Sequence, residues 1–280
     1  MTVIMDGKKL RDKILEELKI KLANLRLVPK LVVISVGDDP ASKIYVNNKK
    51  KYAEKIGIEA VILKLPEDVT TDALLDRIDA LNRDPAVTAI LVQLPLPVHI
   101  NKLDILSAIL PEKDVDGFTP YNSGLLFSGA KHYAYPATPR GILRLLDEYN
   151  IELDGKHVVV VGRSNIVGKP LAQMMLNRNA TVTVCHSHTK NLAEITKTAD
   201  ILVSAAGGKI IEDNMLKSNC VVIDVGIFRD DNGKLRGDVN FETVSKIASH
   251  ITPVPGGVGP MTIASLMLNT VDLLENSGKI

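Results

Sequence analysis

The stretch His157-Val-Val-Val-Val161-Gly162-Arg163-Ser164-Asn-Ile-Val-Gly168-Lys-Pro170-Leu171 carries the decisive pattern in this 280-residue chain. Four consecutive valines predict a strand buried on both faces, because β-branched side chains suit a covered pleated surface. The strand runs into a glycine-containing turn and then a helix with Pro170 near its first position. Strand, tight turn and helix start form the layout that sets a phosphate at a helix N-terminus in a dinucleotide-binding βαβ unit. Ser164 replaces the middle glycine of G-x-G-x-x-G, so a plain tight turn stands as the alternative.

Downstream, strand-like runs at 180–185, 201–204 and 221–225 alternate with helical patterns near 170–178, 190–198 and 212–217. Upstream, Asp6 can cap a helix running to about Leu25, with Leu10, Ile14, Leu18 and Leu22 on one face. Strands over 31–36, 58–65 and 88–93 then alternate with helices over 41–56, 71–81 and about 102–110. The stretch 118–139 loses periodicity and is taken as a connection, followed by a helix over 140–149. A Gly/Pro loop at 253–262 leads to a closing amphipathic helix over 263–275. Alternation of this kind implies two α/β domains. One covers residues 1–137 with the closing segment 262–280, and the other, residues 138–261, is Rossmann-type with a mostly parallel sheet.

With 34 basic and 33 acidic side chains the net charge is +1, which leaves no electrostatic footprint for nucleic acid or an anionic membrane. Asp6 interrupts any signal-peptide core, and no run approaches the ~18 apolar residues of a membrane span, so a soluble, cytoplasmic protein is expected. Cys185 and Cys220 lie in apolar β-like runs and read as reduced core residues. The six histidines do not supply a clustered zinc set, so no metal is expected.

The strand end at Thr183-Val-Cys-His-Ser-His-Thr189 holds no acid where an NAD enzyme places one for the ribose 2′-hydroxyl. Ser187, the neighbouring histidines and Arg163 can instead bind a 2′-phosphate, which favours NADP, although Arg163 also suits a solvated turn. In the first half, Ser42, Tyr45 and Lys49 share one helix face, and partial burial would lower the pKa of Lys49 towards neutrality. The run Lys49-Lys50-Lys51 equally suits a solvated face. Gln93 ends a strand, where it either faces the ligand crevice of an open α/β sheet or caps the following loop, and Asp116 precedes Gly117 in a turn or a heterocycle-binding position. The loop at 253–262 offers close backbone approach through Gly256 and Gly257.

Five motifs in order resemble the methylenetetrahydrofolate dehydrogenase/methenyltetrahydrofolate cyclohydrolase family. They are Ser42-x-x-Tyr45-x-x-x-Lys49, Val92-Gln93-Leu-Pro-Leu-Pro97, Pro111-Glu-Lys-Asp-Val-Asp116-Gly117, Gly162-Arg-Ser-x-x-Val-Gly168-x-Pro170 and Pro253-x-Pro-Gly-Gly-Val-Gly-Pro-x-Thr262. The resemblance implies NADP-dependent oxidation of methylenetetrahydrofolate, then hydrolysis of the methenyl product to 10-formyltetrahydrofolate. It implies Lys49 as general acid/base, held by Gln93, with Tyr45 stacking on folate and Asp116 binding the pterin. Pro255, Gly256 and Gly257 would close over folate and nicotinamide, while Gly162, Arg163, Ser164, Ser187 and Ile227 would contact the cofactor. A homodimer joined through its nucleotide domains is implied too. Ala137 departs from the cysteine common in the family. Two alternatives stand: another two-domain NADP dehydrogenase, of shikimate or amino-acid type, which gives no reason for Tyr45, Lys49 and Gln93 beside Asp116, and a non-catalytic nucleotide-sensing protein that keeps the Rossmann half.

Overall fold

The valine-rich strand lies inside a six-stranded, wholly parallel sheet in a computed structural model that describes residues 1–131, 133–208, 211–230 and 232–278. The side chain of Ala41 and residues 279 and 280, the end of the expected closing segment, lie outside the described residues. The chain divides into two units, Met1–Asp12 with Pro136–Ala264 and Lys13–Tyr135 with Ser265–Ile280.

In chain order, the larger sheet's unit holds β1 (Val3–Ile4), α6 (Ala137–Glu148), β5 (His157–Val161), α7 (Gly168–Leu176), β6 (Thr181–Cys185), α8 (Leu192–Thr196), β7 (Ile201–Ser204), β8 (Val221–Asp224), a hairpin of β9 (Phe228–Arg229) and β10 (Leu235–Arg236), α9 (Phe241–Val244) and β11 (His250–Ile251). Its strand order is β1-β11-β8-β7-β5-β6. Val159, Leu202, Val222 and Ile251 pack in one core beneath this sheet. Both cysteines are free and buried.

The other unit has β2 (Lys30–Val36), α2 (Pro40–Ile56), β3 (Glu59–Leu65), α3 (Thr71–Arg83), β4 (Ala89–Val92), α4 (Lys102–Ser107) and α5 (Pro120–Ser128). Its parallel sheet runs β3-β2-β4, with a core including Val32, Ile34, Leu74, Ile78 and Ile90. The division falls inside α1 (Gly7–Ala23) and α10 (Val258–Asn276).

Cap chemistry accounts for many of these boundaries. Asp6 Oδ1 accepts the Lys9 N–H at 2.9 Å at the start of α1. Asp39 caps α2, whose first residue is Pro40, and Gly57 ends it with φ 95°. The first twelve residues, expected with the first half, belong to the unit of the larger sheet, because β1 pairs with β11. A two-residue strand is too short for periodicity to reveal.

The expected connection at 118–139 contains α5 instead. Thr119 caps α5, Pro120 opens it and Gly129 closes it, so the signals were present although no amphipathic stripe marked the helix. α6 begins at Ala137, before its expected start, and α10 begins at Val258, inside the expected Gly/Pro loop. Pro260 fits there because first-turn N–H groups have no intrahelical acceptor.

Asn269 on α10 is fully buried, and its Nδ2 donates to Val115 O at 2.7 Å and to Tyr135 O at 2.6 Å. Asn269→Leu removes that shared donor and should lower the unfolding free energy by about 1–3 kcal/mol in urea titrations. An unchanged midpoint would mean that the two carbonyls recruit other donors.

Candidate active site

Two groups of the expected residues assemble, one in each unit. In the first, Lys49 projects from α2 and its Nζ donates to Gln93 Oε1 at 2.9 Å. Gln93 follows β4, where its backbone N–H extends the ladder to Ile34 O at 2.8 Å. Its Nε2 donates to Leu94 O at 2.7 Å, which turns the amide so that its carbonyl oxygen faces the lysine. The segment carrying Asp116 lies beside β4, through Ile90 N–H to Lys113 O at 2.8 Å. Asp114 is buried and accepts from Thr119 N–H at 2.8 Å and Asn122 Nδ2 at 3.0 Å, fixing the turn that precedes Asp116. Tyr45, one turn before Lys49, is half-exposed.

The electrostatics make this group chemically unusual. Burial holds the Lys49 ammonium below the ordinary lysine range, while the Asp116 carboxylate pulls it back up. Burial also pushes Asp116 up to about 6; Lys49 opposes that shift and the neighbouring Asp114 charge adds to it. An amine that gives up its proton more easily than usual, beside a carboxyl that keeps one to higher pH, can pass protons in either direction.

The second group lies at the C-terminal ends of the larger sheet. From β5 the chain crosses to β6 on one side and then to β7 on the other, so the switch point falls between β5 and β7. Gly162 leaves β5 with φ 124°, and a Cβ there would collide with the Ala205 carbonyl beyond β7. A Cβ on Gly168 would collide with the Gly162 carbonyl. Only glycine permits this close turn. Arg163, Ser164 and Ser187 are exposed around the same strand ends. His186 is shifted down by desolvation and by the positive charge of Arg163, so the arginine's field reaches the end of β6. Together with the acid-free strand end, these residues fit a dinucleotide carrying a 2′-phosphate.

One expectation needs correction. The first turn of α7 does not present open donors to a phosphate. Ser164 Oγ accepts from Val167 N–H at 3.1 Å and Gly168 N–H at 3.4 Å, Lys169 N–H bonds Ser164 O at 3.1 Å, and Pro170 has no N–H. Ile227, Pro255, Gly256 and Gly257 come together around one cavity of about 130 Å³ that Asp224 also lines.

Sequence reasoning passed over the loop at 205–208, although Ser204-Ala-Ala-Gly-Gly208 directly after a strand was a readable signal. It also passed over Asp224 and Asp238, both buried, because no local pattern marks a carboxylate whose donors come from a distant loop.

Replacing Asp116 with asparagine removes the negative charge that raises the Lys49 pKa. The Lys49 amine should therefore titrate at lower pH in Asp116→Asn than in the parent, read from the lysine side-chain carbon shift by NMR. An equal value would show that burial alone sets it, and a higher one that Asp116 does not raise it.

Family models match both halves of the chain. Residues 5–116 match the description "Tetrahydrofolate dehydrogenase/cyclohydrolase, catalytic domain", and residues 136–278 match its "NAD(P)-binding domain". A "Bifunctional protein FolD" from Ligilactobacillus salivarius is 56% identical, over 99% of this chain and 98% of that protein. One from Halalkalibacterium halodurans is 54% identical, over 96% and 97%. The bifunctional FolD dehydrogenase/cyclohydrolase structure from Campylobacter jejuni superposes with TM-score 0.98 at 49% identity, covering 99% of this chain and 100% of that one. The Trypanosoma brucei enzyme, complexed with NADP cofactor and inhibitor, gives 0.95 at 39%, covering 100% and 99%. Shikimate dehydrogenases share the fold at 12–13% identity. The chain belongs to the tetrahydrofolate dehydrogenase/cyclohydrolase family.

Proposed function

We propose that this chain oxidises 5,10-methylenetetrahydrofolate with NADP⁺ and hydrolyses the resulting 5,10-methenyltetrahydrofolate to 10-formyltetrahydrofolate. The observation that carries this is the Lys49–Gln93 hydrogen bond of 2.9 Å beside Asp116, in a chain of this family. Bound NADP⁺ supplies the hydride acceptor. The dehydrogenase step leaves a cation stabilised by the two folate nitrogens, so it asks mainly for orientation. Tyr45 offers a ring face for that purpose, and Asp116 accepts hydrogen bonds from the pterin amino group.

Hydrolysis needs proton movement. Water adds to the methenyl carbon while the neutral Lys49 amine takes its proton. The resulting ammonium then protonates the folate nitrogen N5 as its bond to that carbon breaks. The second hydroxyl proton leaves as the formyl carbonyl forms. Gln93 holds Nζ in place through both transfers. Gly162, Arg163, Ser164 and Ser187 hold the adenosine phosphates, and Ile227 with Pro255, Gly256 and Gly257 receives the nicotinamide end. The family relationship supports a homodimer joined through the nucleotide units and a place in cytoplasmic one-carbon metabolism; light scattering tests the assembly. Among the described residues, no helix is long and apolar enough to cross a membrane.

Lys49→Met should abolish hydrolysis of supplied methenyltetrahydrofolate while leaving measurable NADPH formation, because hydride transfer does not use that proton shuttle. Equal loss of both activities with folate binding intact would sink the assignment. Arg163→Ala should raise KM for NADP⁺ about ten- to hundred-fold, the loss of one charge-assisted contact, with little change for NAD⁺. An unchanged NADP⁺/NAD⁺ ratio would transfer phosphate recognition to Ser187 and the histidines.

A further inference from the structure

The loop at 205–208 walls one side of the crevice between β5 and β7, yet a side chain from far along the chain holds it. Asp238 is fully buried, and its carboxylate accepts four hydrogen bonds. Oδ2 takes Ser204 Oγ at 3.0 Å, Ala206 N–H at 2.8 Å and Gly207 N–H at 3.3 Å, while Oδ1 takes Gly208 N–H at 2.7 Å. Three successive backbone donors therefore point inward at one carboxylate. A second buried carboxylate, Asp224 at the end of β8, fixes the segment after β10 that carries Asp238. Its Oδ1 accepts Asp238 N–H at 2.9 Å and Gly226 N–H at 3.0 Å, and its Oδ2 accepts Val239 N–H at 3.0 Å. The two carboxylates interlock with glycines. A Cβ on Gly226 would collide with Asp238, and one on Gly237 with Asp224.

The loop so held presses on the nucleotide turn. Ala205 N–H bonds Val161 O at 2.7 Å, and the Ala205 carbonyl occupies the space where a Cβ on Gly162 would be. Resting on the cofactor site proposed above, we infer that Asp238 is a positioning residue of that site, setting the 205–208 loop against the Gly162 turn so that NADP⁺ meets a preformed crevice. Asp238 does not touch the dinucleotide. It acts through backbone groups that would otherwise have no buried acceptor, and a charged acceptor binds such N–H groups about twice as strongly as a neutral one.

The test compares Asp238→Asn with the parent enzyme, using NADP⁺ titrations of dehydrogenase rate and, separately, hydrolysis of supplied methenyltetrahydrofolate. Asparagine keeps the shape but turns one acceptor into an N–H₂ facing N–H donors. KM for NADP⁺ should rise at least tenfold, and dehydrogenase kcat/KM should fall at least tenfold relative to cyclohydrolase. A purely structural role predicts otherwise, since a smaller folded fraction lowers both rates together and leaves KM unchanged. Ser204→Ala deletes a single donor, remains testable if Asp238→Asn does not fold, and should raise KM for NADP⁺ about two- to tenfold. Unchanged KM in a folded Asp238→Asn, or in Ser204→Ala when the former does not fold, overturns the inference. If the parent enzyme neither reduces NADP⁺ nor hydrolyses the methenyl compound, the proposed activity falls, and this inference with it.

Discussion

At the end of β5 the chain passes so close to the strand end beyond β7 that Gly162 has no room for a Cβ against the Ala205 carbonyl. The rest of the nucleotide unit is arranged around that contact. It demands glycine with φ 124°, and the next approach, of α7 to the same turn, demands Gly168. On the far side of the crevice the 205–208 loop, Ala-Ala-Gly-Gly, must hold its shape without polar side chains of its own. The buried carboxylate of Asp238 supplies that rigidity from 30 to 34 residues downstream, as the Gly208 and Ser204 contacts illustrate.

The catalytic unit solves a different problem. A lysine is useful as a proton carrier only when its ammonium is made less stable than in water, and burial of Lys49 does this. Unopposed burial would push the amine further down. The Asp116 carboxylate opposes it, while its own charge is destabilised by burial and by Asp114. Gln93 then ties the amine to the end of β4 through a neutral acceptor, which fixes position without adding another charge. The three residues come from three separate segments, so their mutual distances depend on the β3-β2-β4 sheet and on the turn that Asp114 organises.

Much of this was legible before any coordinates. The β-branched run, the glycine turn, the acid-free end of β6 and the Tyr45/Lys49 spacing each carry local physical meaning, and all four correspond to features of the structure. Caps were legible too, even where they went unused: Thr119, Pro120 and Gly129 bound α5 as plainly as Asp39, Pro40 and Gly57 bound α2. Misplacements arose where local and tertiary demands diverge. Val258–Thr262 reads as Gly/Pro loop but opens a helix, since the first turn tolerates what the interior does not. Val3–Ile4 is too short to signal a strand and exists only because β11 offers an edge.

The sequence by itself determined the α/β class, the parallel character of the sheets, the family and the positions of the candidate site residues, because these depend on residue type and short-range spacing. Tertiary structure alone decided which groups share an electrostatic environment and which backbone donors are already engaged. The depressed Lys49, the elevated Asp116, the self-capped start of α7 and the Asp238 clamp all arise from burial and from hydrogen bonds across long sequence separations. Desolvation and donor–acceptor pairing are properties of surroundings, and surroundings exist only once the chain has folded.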